Sequence, residues 1–246
     1  MSLTAKLALT PVLVAQALYT RVKLPRLPEP EGERLGVVGR GRRQWRLLIV
    51  GDSSAAGVGV ARQEQALAGP LARQLAQAAS ARVAWRLVAQ SGWTTAQTLQ
   101  QLQREHVGFF DLAVAITGVN DVVEQVPSQR AVDARSALAN HLRNALGVHH
   151  VAFAPLPPVH HFPGLPQPLR WVAGTDALRH NEAMSQWVRT RDDVSLVPMD
   201  LALETEGMAA DGFHPGEPVY RYCSEAIATH LAQTVLPRIP MTETSR

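Results

Sequence analysis

From Trp45 onward the chain alternates short, β-rich apolar runs with longer stretches whose apolar residues recur at helical spacing. That alternation leaves few folds open, because strands separated by helices pair most simply as a parallel sheet covered on both faces. The apolar runs are Arg46 to Val50, Val83 to Val88, Leu112 to Thr117, His150 to Pro155 and Val194 to Pro198. Between them "EQALAGPLARQLAQAA", "TTAQTLQQLQREH", "SQRAVDARSALANHLRNAL" and "RWVAGTDALRHNEAMSQWVRTR" read as helices, and "EPVYRYCSEAIATHLAQTVL" closes the chain as another. The expectation is one α/β domain over residues 45–240 made of five β-α units, with 241–246 as a short C-terminal tail. Ligands of such sheets sit outside the carboxyl ends of the strands, so the residues just after each run carry the most weight.

The first junction, "LLIVGDSSAAGVGV", runs from Val50 into Gly51-Asp52-Ser53. Gly51, Gly57 and Gly59 lack the G-x-G-x-x-G spacing of a dinucleotide fingerprint. The only lysines are Lys6 and Lys23, so the body of the chain lacks a P-loop, kinase or Schiff-base lysine. Ser53 is left as either a helix N-cap or a nucleophile. The second junction, "AQSGWTT", offers Gly92, whose backbone N–H can approach a ligand closely. The third, "AITGVNDVV", holds Gly118, Asn120 and Asp121, which are also ordinary turn residues. In the fourth, "DGFHPGEPVY", Asp211 and His214 lie three residues apart before a helix that begins near Pro218, a separation at which a carboxylate can orient an imidazole.

Ser53, Gly92, Asn120 and Asp211-x-x-His214, in that order, resemble the motif blocks of the SGNH hydrolases, also called the GDSL esterase/lipase family. The resemblance covers roughly residues 45–235. It implies a flavodoxin-like three-layer α/β/α sandwich with a five-stranded parallel sheet, and a serine-dependent hydrolase of carboxylic esters that works through an acyl-enzyme. Ser53 would be the nucleophile, His214 the general base and Asp211 its orienting partner. The backbone N–H groups of Ser53 and Gly92 and the Asn120 amide would form the oxyanion hole, with no metal or organic cofactor. Ser54 stands where the family name implies leucine, and Asp52 and Asp121 read as loop-organising. The motifs report on acyl-transfer machinery and not on the leaving group. Carbohydrate O-deacetylation, thioester hydrolysis and acyl transfer to an alcohol therefore stay open, as does, from another class, a non-catalytic ligand-binding module on the same fold.

Trp93, beside Gly92, is a candidate for the substrate cleft. The Pro-rich segment from Pro155 to Trp171 is long enough to suggest function, with Phe162, Leu165 and Trp171 as a candidate acyl-chain wall or lid. The pairs His149-His150 and His160-His161 gain no acidic or thiolate neighbours, so no metal site is expected, and Cys223, the only cysteine, excludes an intrachain disulfide.

Residues 1–44 carry eight Lys/Arg against three Glu, net +5, and the remainder sixteen Arg against eighteen Asp/Glu, net −2. The high pI thus belongs to the N-terminal segment, and no nucleic-acid partner is expected. The apolar stretch from Leu7 to Tyr19 is too short to span a membrane. With Arg21, Lys23 and Arg26 behind it, it reads as an interfacial helix that brings residues 1–26 of a cytoplasmic protein to an anionic membrane. A helix docked on the protein's own surface and a short export signal are the alternatives. "LPRLPEPEGERLG" then reads as a linker. The substrate expected is a small-molecule or lipid ester; the sequence sets no oligomeric state.

Overall fold

The computed structural model describes residues 3–200 and 207–239. Its six strands are β1 (Leu35–Gly39), β2 (Gln44–Gly51), β3 (Arg82–Ala89), β4 (Leu112–Ile116), β5 (His150–Phe153) and β6 (Val194–Leu196). They form one sheet in the order β1-β3-β2-β4-β5-β6, with β1 antiparallel to β3 and all other pairs parallel. The helices are α1 (Leu3–Lys23), α2 (Ser53–Ala56), α3 (Ala68–Ala78), α4 (Thr95–Arg104), α5 (Val119–Val123), α6 (Ser128–Leu146), α7 (Leu169–Val188) and α8 (Glu217–His230).

The sheet is mixed and six-stranded, not parallel and five-stranded. The additional strand, β1, lies within residues 1–44, outside the expected domain, and overlaps the end of the stretch read as linker at Leu35 and Gly36. It pairs Leu35 with Arg86 through to Gly39 with Arg82, and exposes Leu35 and Val37. An edge strand buries little, so a five-residue piece with two glycines shows almost no apolar pattern. An antiparallel edge on a parallel sheet is common in doubly wound folds. The last three strands end one or two residues earlier than their apolar runs.

Strand β2 explains the layering. Leu47, Leu48, Ile49 and Val50 are all fully buried, as in a central parallel strand covered on both faces. Side chains alternate, so Leu47 and Ile49 join the core formed with α3 and α8, whereas Leu48 and Val50 join the core formed with α4, α6 and α7. The chain leaves β2 for β3 on one side and returns to β4 on the other. The crevice at the carboxyl end of β2 is therefore the topological switch point.

Helix α1 is tied to α7 through Gln16, whose amide donates to Gln167 O at 2.6 Å and accepts from Leu169 N at 3.0 Å. It exposes Val12, Val14, Leu18 and Val22. No helix among the described residues is long and apolar enough to cross a membrane.

Candidate active site

Strand β2 stops at Gly51 for a steric reason. A Cβ there would stand 1.9 Å from Ile116 O on β4, so only glycine permits this approach, and its φ of +154° suits glycine. The turn brings Asp52 to the N-cap of α2, where its carboxylate accepts from Ser54 N at 2.9 Å, and puts Ser53 at the first helical position. Asp52, not Ser53, is thus the cap, and the Ser53 hydroxyl points away toward His214.

Asp211 and His214 come from the loop before α8. Asp211 Oδ1 accepts from the backbone N–H of Phe213 and of His214, both at 2.9 Å, and Oδ2 meets His214 Nδ1 at 2.6 Å. His214 Nε2 lies 3.0 Å from Ser53 Oγ. Burial raises the Asp211 pKa, but the hydrogen bonds from the His214 ring and the two N–H groups outweigh it and hold the carboxyl below its usual value. The Pro-rich segment supports this loop. Gly164 N donates to Gly212 O at 3.0 Å, and Phe162 stacks edge-on against Phe213, which in turn packs edge-on against His214.

Gly92 and Asn120 approach from the other side. A Cβ at Gly92 would meet nothing within 4 Å, so this turn faces open space. Asn120 donates one amide hydrogen to Trp93 O at 2.9 Å, which fixes its side chain beside the Gly92 turn. The next residue, Asp121, is buried and accepts from the backbone N–H and the hydroxyl of Thr95, at the start of α4.

Two ionisable groups are buried here, and one of them, Arg135, escaped the sequence reading. Arg135, on α6, is fully buried, 3.9 Å from Asp121, and a Cβ at Gly118 would collide with its guanidinium. The signal was present: Arg135 sits among Ala131, Val132, Leu138, Ala139 and Leu142 on the buried stripe of α6. Asp52, read as a loop organiser, is also buried, and burial pushes its pKa up to about 7. The Ser54 N–H and His214 pull against that rise, and Asp121 adds to it.

A cavity of about 70 Å³ opens beside Ser53 and His214 and runs between the sheet and α8. Of the four residues expected at substrate, only Phe162 lines it. Leu165 is buried in the core on the α7 face, Trp93 packs against that same core, and Trp171 is half exposed on α7. The other walls include Leu67, Ile116, Ala154, Met199, Met208, Cys223 and Ile227. Burial pushes the Cys223 thiol up to about 12, which makes it a neutral apolar wall. Among the described residues no group of three or more His, Cys, Asp or Glu could hold a metal ion.

A serine, an imidazole and a carboxylate in hydrogen-bonded series at the carboxyl edge of a parallel sheet are the arrangement of a serine hydrolase. The chain belongs to the GDSL-like Lipase/Acylhydrolase family, which it matches over residues 49–222. It is 27% identical over 262 residues to a GDSL-like esterase of Mycobacterium tuberculosis, a match that covers 98% of this chain and 83% of that one. A lipase from a goat rumen metagenome superposes with a TM-score of 0.62 at 17% identity, covering 77% of this chain and 97% of its own. A carbohydrate acetylesterase from Sinorhizobium meliloti gives 0.56, also at 17%, over 78% and 99% of the two chains. At that identity both structures bear on the fold alone.

Proposed function

We propose that the protein hydrolyses carboxylic esters with Ser53 as nucleophile, His214 as general base and Asp211 as the group that orients His214. The observation that carries this reading is the continuous path from Ser53 Oγ to His214 Nε2 at 3.0 Å and from His214 Nδ1 to Asp211 at 2.6 Å. Ser53 attacks the ester carbonyl carbon as His214 Nε2 takes its proton, and the carbonyl oxygen becomes an oxyanion. That oxyanion is met by the backbone N–H groups of Ser53 and Gly92 and by the second amide hydrogen of Asn120, whose first is held by Trp93 O. When the carbonyl re-forms, the C–O bond to the alcohol breaks and His214 protonates the departing oxygen. Water, activated by the same imidazole, then hydrolyses the acyl-Ser53. The Asp211 carboxylate stabilises the imidazolium at both stages.

Incubation with a fluorophosphonate probe tests this directly. Covalent labelling at Ser53, together with chromogenic-ester hydrolysis that is lost in Ser53→Ala and His214→Ala, is the expected result. A wild-type protein that is neither labelled nor able to turn over any ester would overturn the assignment and favour a ligand-binding role. Residues 1–26 are the segment we assign to an anionic membrane surface: α1 exposes Val12, Val14, Leu18 and Val22, with Arg21, Lys23 and Arg26 following.

A further inference from the structure

The cavity beside Ser53 has a polar mouth and runs inward to Leu67 and Ile227, both fully buried. Asp52, Ser53, Ser54, Thr117 and His214 are the polar residues at the mouth; beyond them the lining is hydrocarbon, thioether, the neutral Cys223 thiol and Tyr220, whose hydroxyl is taken up by Val58 O. Helix α8 supplies one wall as a ruler: Val219, Cys223 and Ile227, each one turn further from His214, face the cavity in succession. Ile227 is fully buried against the core at the deep end.

We propose that this cavity is the acyl pocket and that it makes the protein an esterase of short acyl groups, of two to four carbons, with the alcohol portion directed to solvent. The inference rests on the assignment of Ser53 as nucleophile. Two arguments support it. The first is kinetic order. After acylation the alcohol must leave and water must enter, so an alcohol lodged in this cavity would block deacylation, whereas an acyl chain there leaves the mouth clear. The second is size. An apolar cavity of about 150 Å³ takes the six carbons of benzene. By that measure 70 Å³ takes about three carbons beyond the carbonyl carbon, which itself stays at Ser53. The lining offers no charged or amide group to a sugar hydroxyl or a headgroup phosphate beyond the groups at the mouth.

The experiment uses the full chain and p-nitrophenyl esters from acetyl to dodecanoyl. The expected kcat/KM has its maximum between acetyl and butyryl and falls at least about ten-fold by octanoyl, because each methylene a pocket cannot hold is worth roughly ten-fold or more. Ile227→Ala deepens the pocket and should move the maximum to longer chains. Cys223→Leu fills it and should leave acetyl esters cleaved while butyryl esters lose at least about ten-fold. If Ile227→Ala fails to fold, Cys223→Leu still decides the matter, since it adds apolar volume to an apolar space. A maximum at octanoyl or longer in the wild type, or a profile that does not move in a folded variant, overturns the pocket assignment. Fluorophosphonate labelling separates the two readings: labelling with a flat chain-length profile sinks only the pocket, and no labelling sinks both.

Discussion

Asp52→Asn should stabilise the protein, and only above a definable pH. Asp52 is 2% exposed, its charged neighbours are His214, Asp121 and Arg135, and burial raises its pKa to about 7. A carboxyl whose folded pKa exceeds its unfolded value binds its proton more tightly in the native state. Its stabilising contribution is therefore complete below about pH 4 and is lost as pH rises through about 7. The gap between an ordinary aspartate and about 7 corresponds to roughly 4 kcal/mol at pH 8. Asparagine keeps the acceptor for Ser54 N and removes the titration. Urea unfolding should show the variant and wild type alike near pH 4, with the variant about 2–4 kcal/mol more stable at pH 8. In a domain of this size that is a rise in Tm of roughly 5–15 °C. Equal effects at both pH values, or a gain confined to acid, would refute the reasoning.

Three further outcomes are expected. Asp211→Asn retains an acceptor for the two backbone N–H groups but turns an amide toward His214 Nδ1, which puts the ring proton on Nε2, so kcat should fall about 10⁴-fold with KM little changed; a loss under ten-fold in steady-state assays would exclude Asp211 as the orienting group. His150, whose pKa is lowered to about 4 by burial and then by His230 and Arg238 against the pull of Asp193, contributes stability that is intact above about pH 6.5 and lost as pH falls toward 4. His150→Gln should therefore lose less stability than wild type, by roughly 2–3 kcal/mol, when urea unfolding is compared at pH 7 and pH 4.5; an unchanged pH slope would refute this. Deletion of residues 1–26, which spares β1, should leave soluble-ester hydrolysis intact and reduce sedimentation with anionic vesicles; unchanged sedimentation would remove the membrane assignment.

The parts of this fold legible in the sequence are those whose burial is local. Strand β2 is apolar at four consecutive positions because both its faces are covered, Ser53, Gly92 and Asn120 follow strands whose apolar runs the sequence marks, and Asp211 and His214 precede the helical pattern of α8. Strand β1 was hidden because Leu35 and Val37 face solvent, so its pairing with β3 writes no periodicity into the chain. The cavity was hidden for a different reason. Leu67, Ile116, Met199, Met208 and Ile227 are each unremarkable apolar residues, and only the tertiary fold gives them one shared space. Of the Pro-rich segment's candidates Phe162 lines this cavity, whereas Leu165 is buried in the core and Trp171 is half exposed, because the exposure of each depends on packing from distant segments that local sequence does not record.

A second serine–histidine contact shows why the carboxylate decides what such a pair can do. Ser195 on β6 lies 2.8 Å from both His150 Nε2 and His230 Nε2, a shorter approach than Ser53 makes to His214. Burial lowers the pKa of both imidazoles, so neither is poised to accept a proton and hold it as imidazolium. The nearby Asp193 carboxylate is held by Arg191 at 2.6 and 2.8 Å and by Arg143 at 3.3 Å, where it serves as no third member. What the cluster does instead is anchor. His230 ends α8, and the 14 residues of that helix span about 21 Å back toward His214. Along the way Tyr220 donates to Val58 O at 2.6 Å and Ser224 to Leu67 O at 3.2 Å. The far-end imidazole bridge to β5 and β6 thus fixes the helix that directly follows the His214 loop and carries the acyl ruler along its length, and the alignment of base and pocket depends on α8 as a whole.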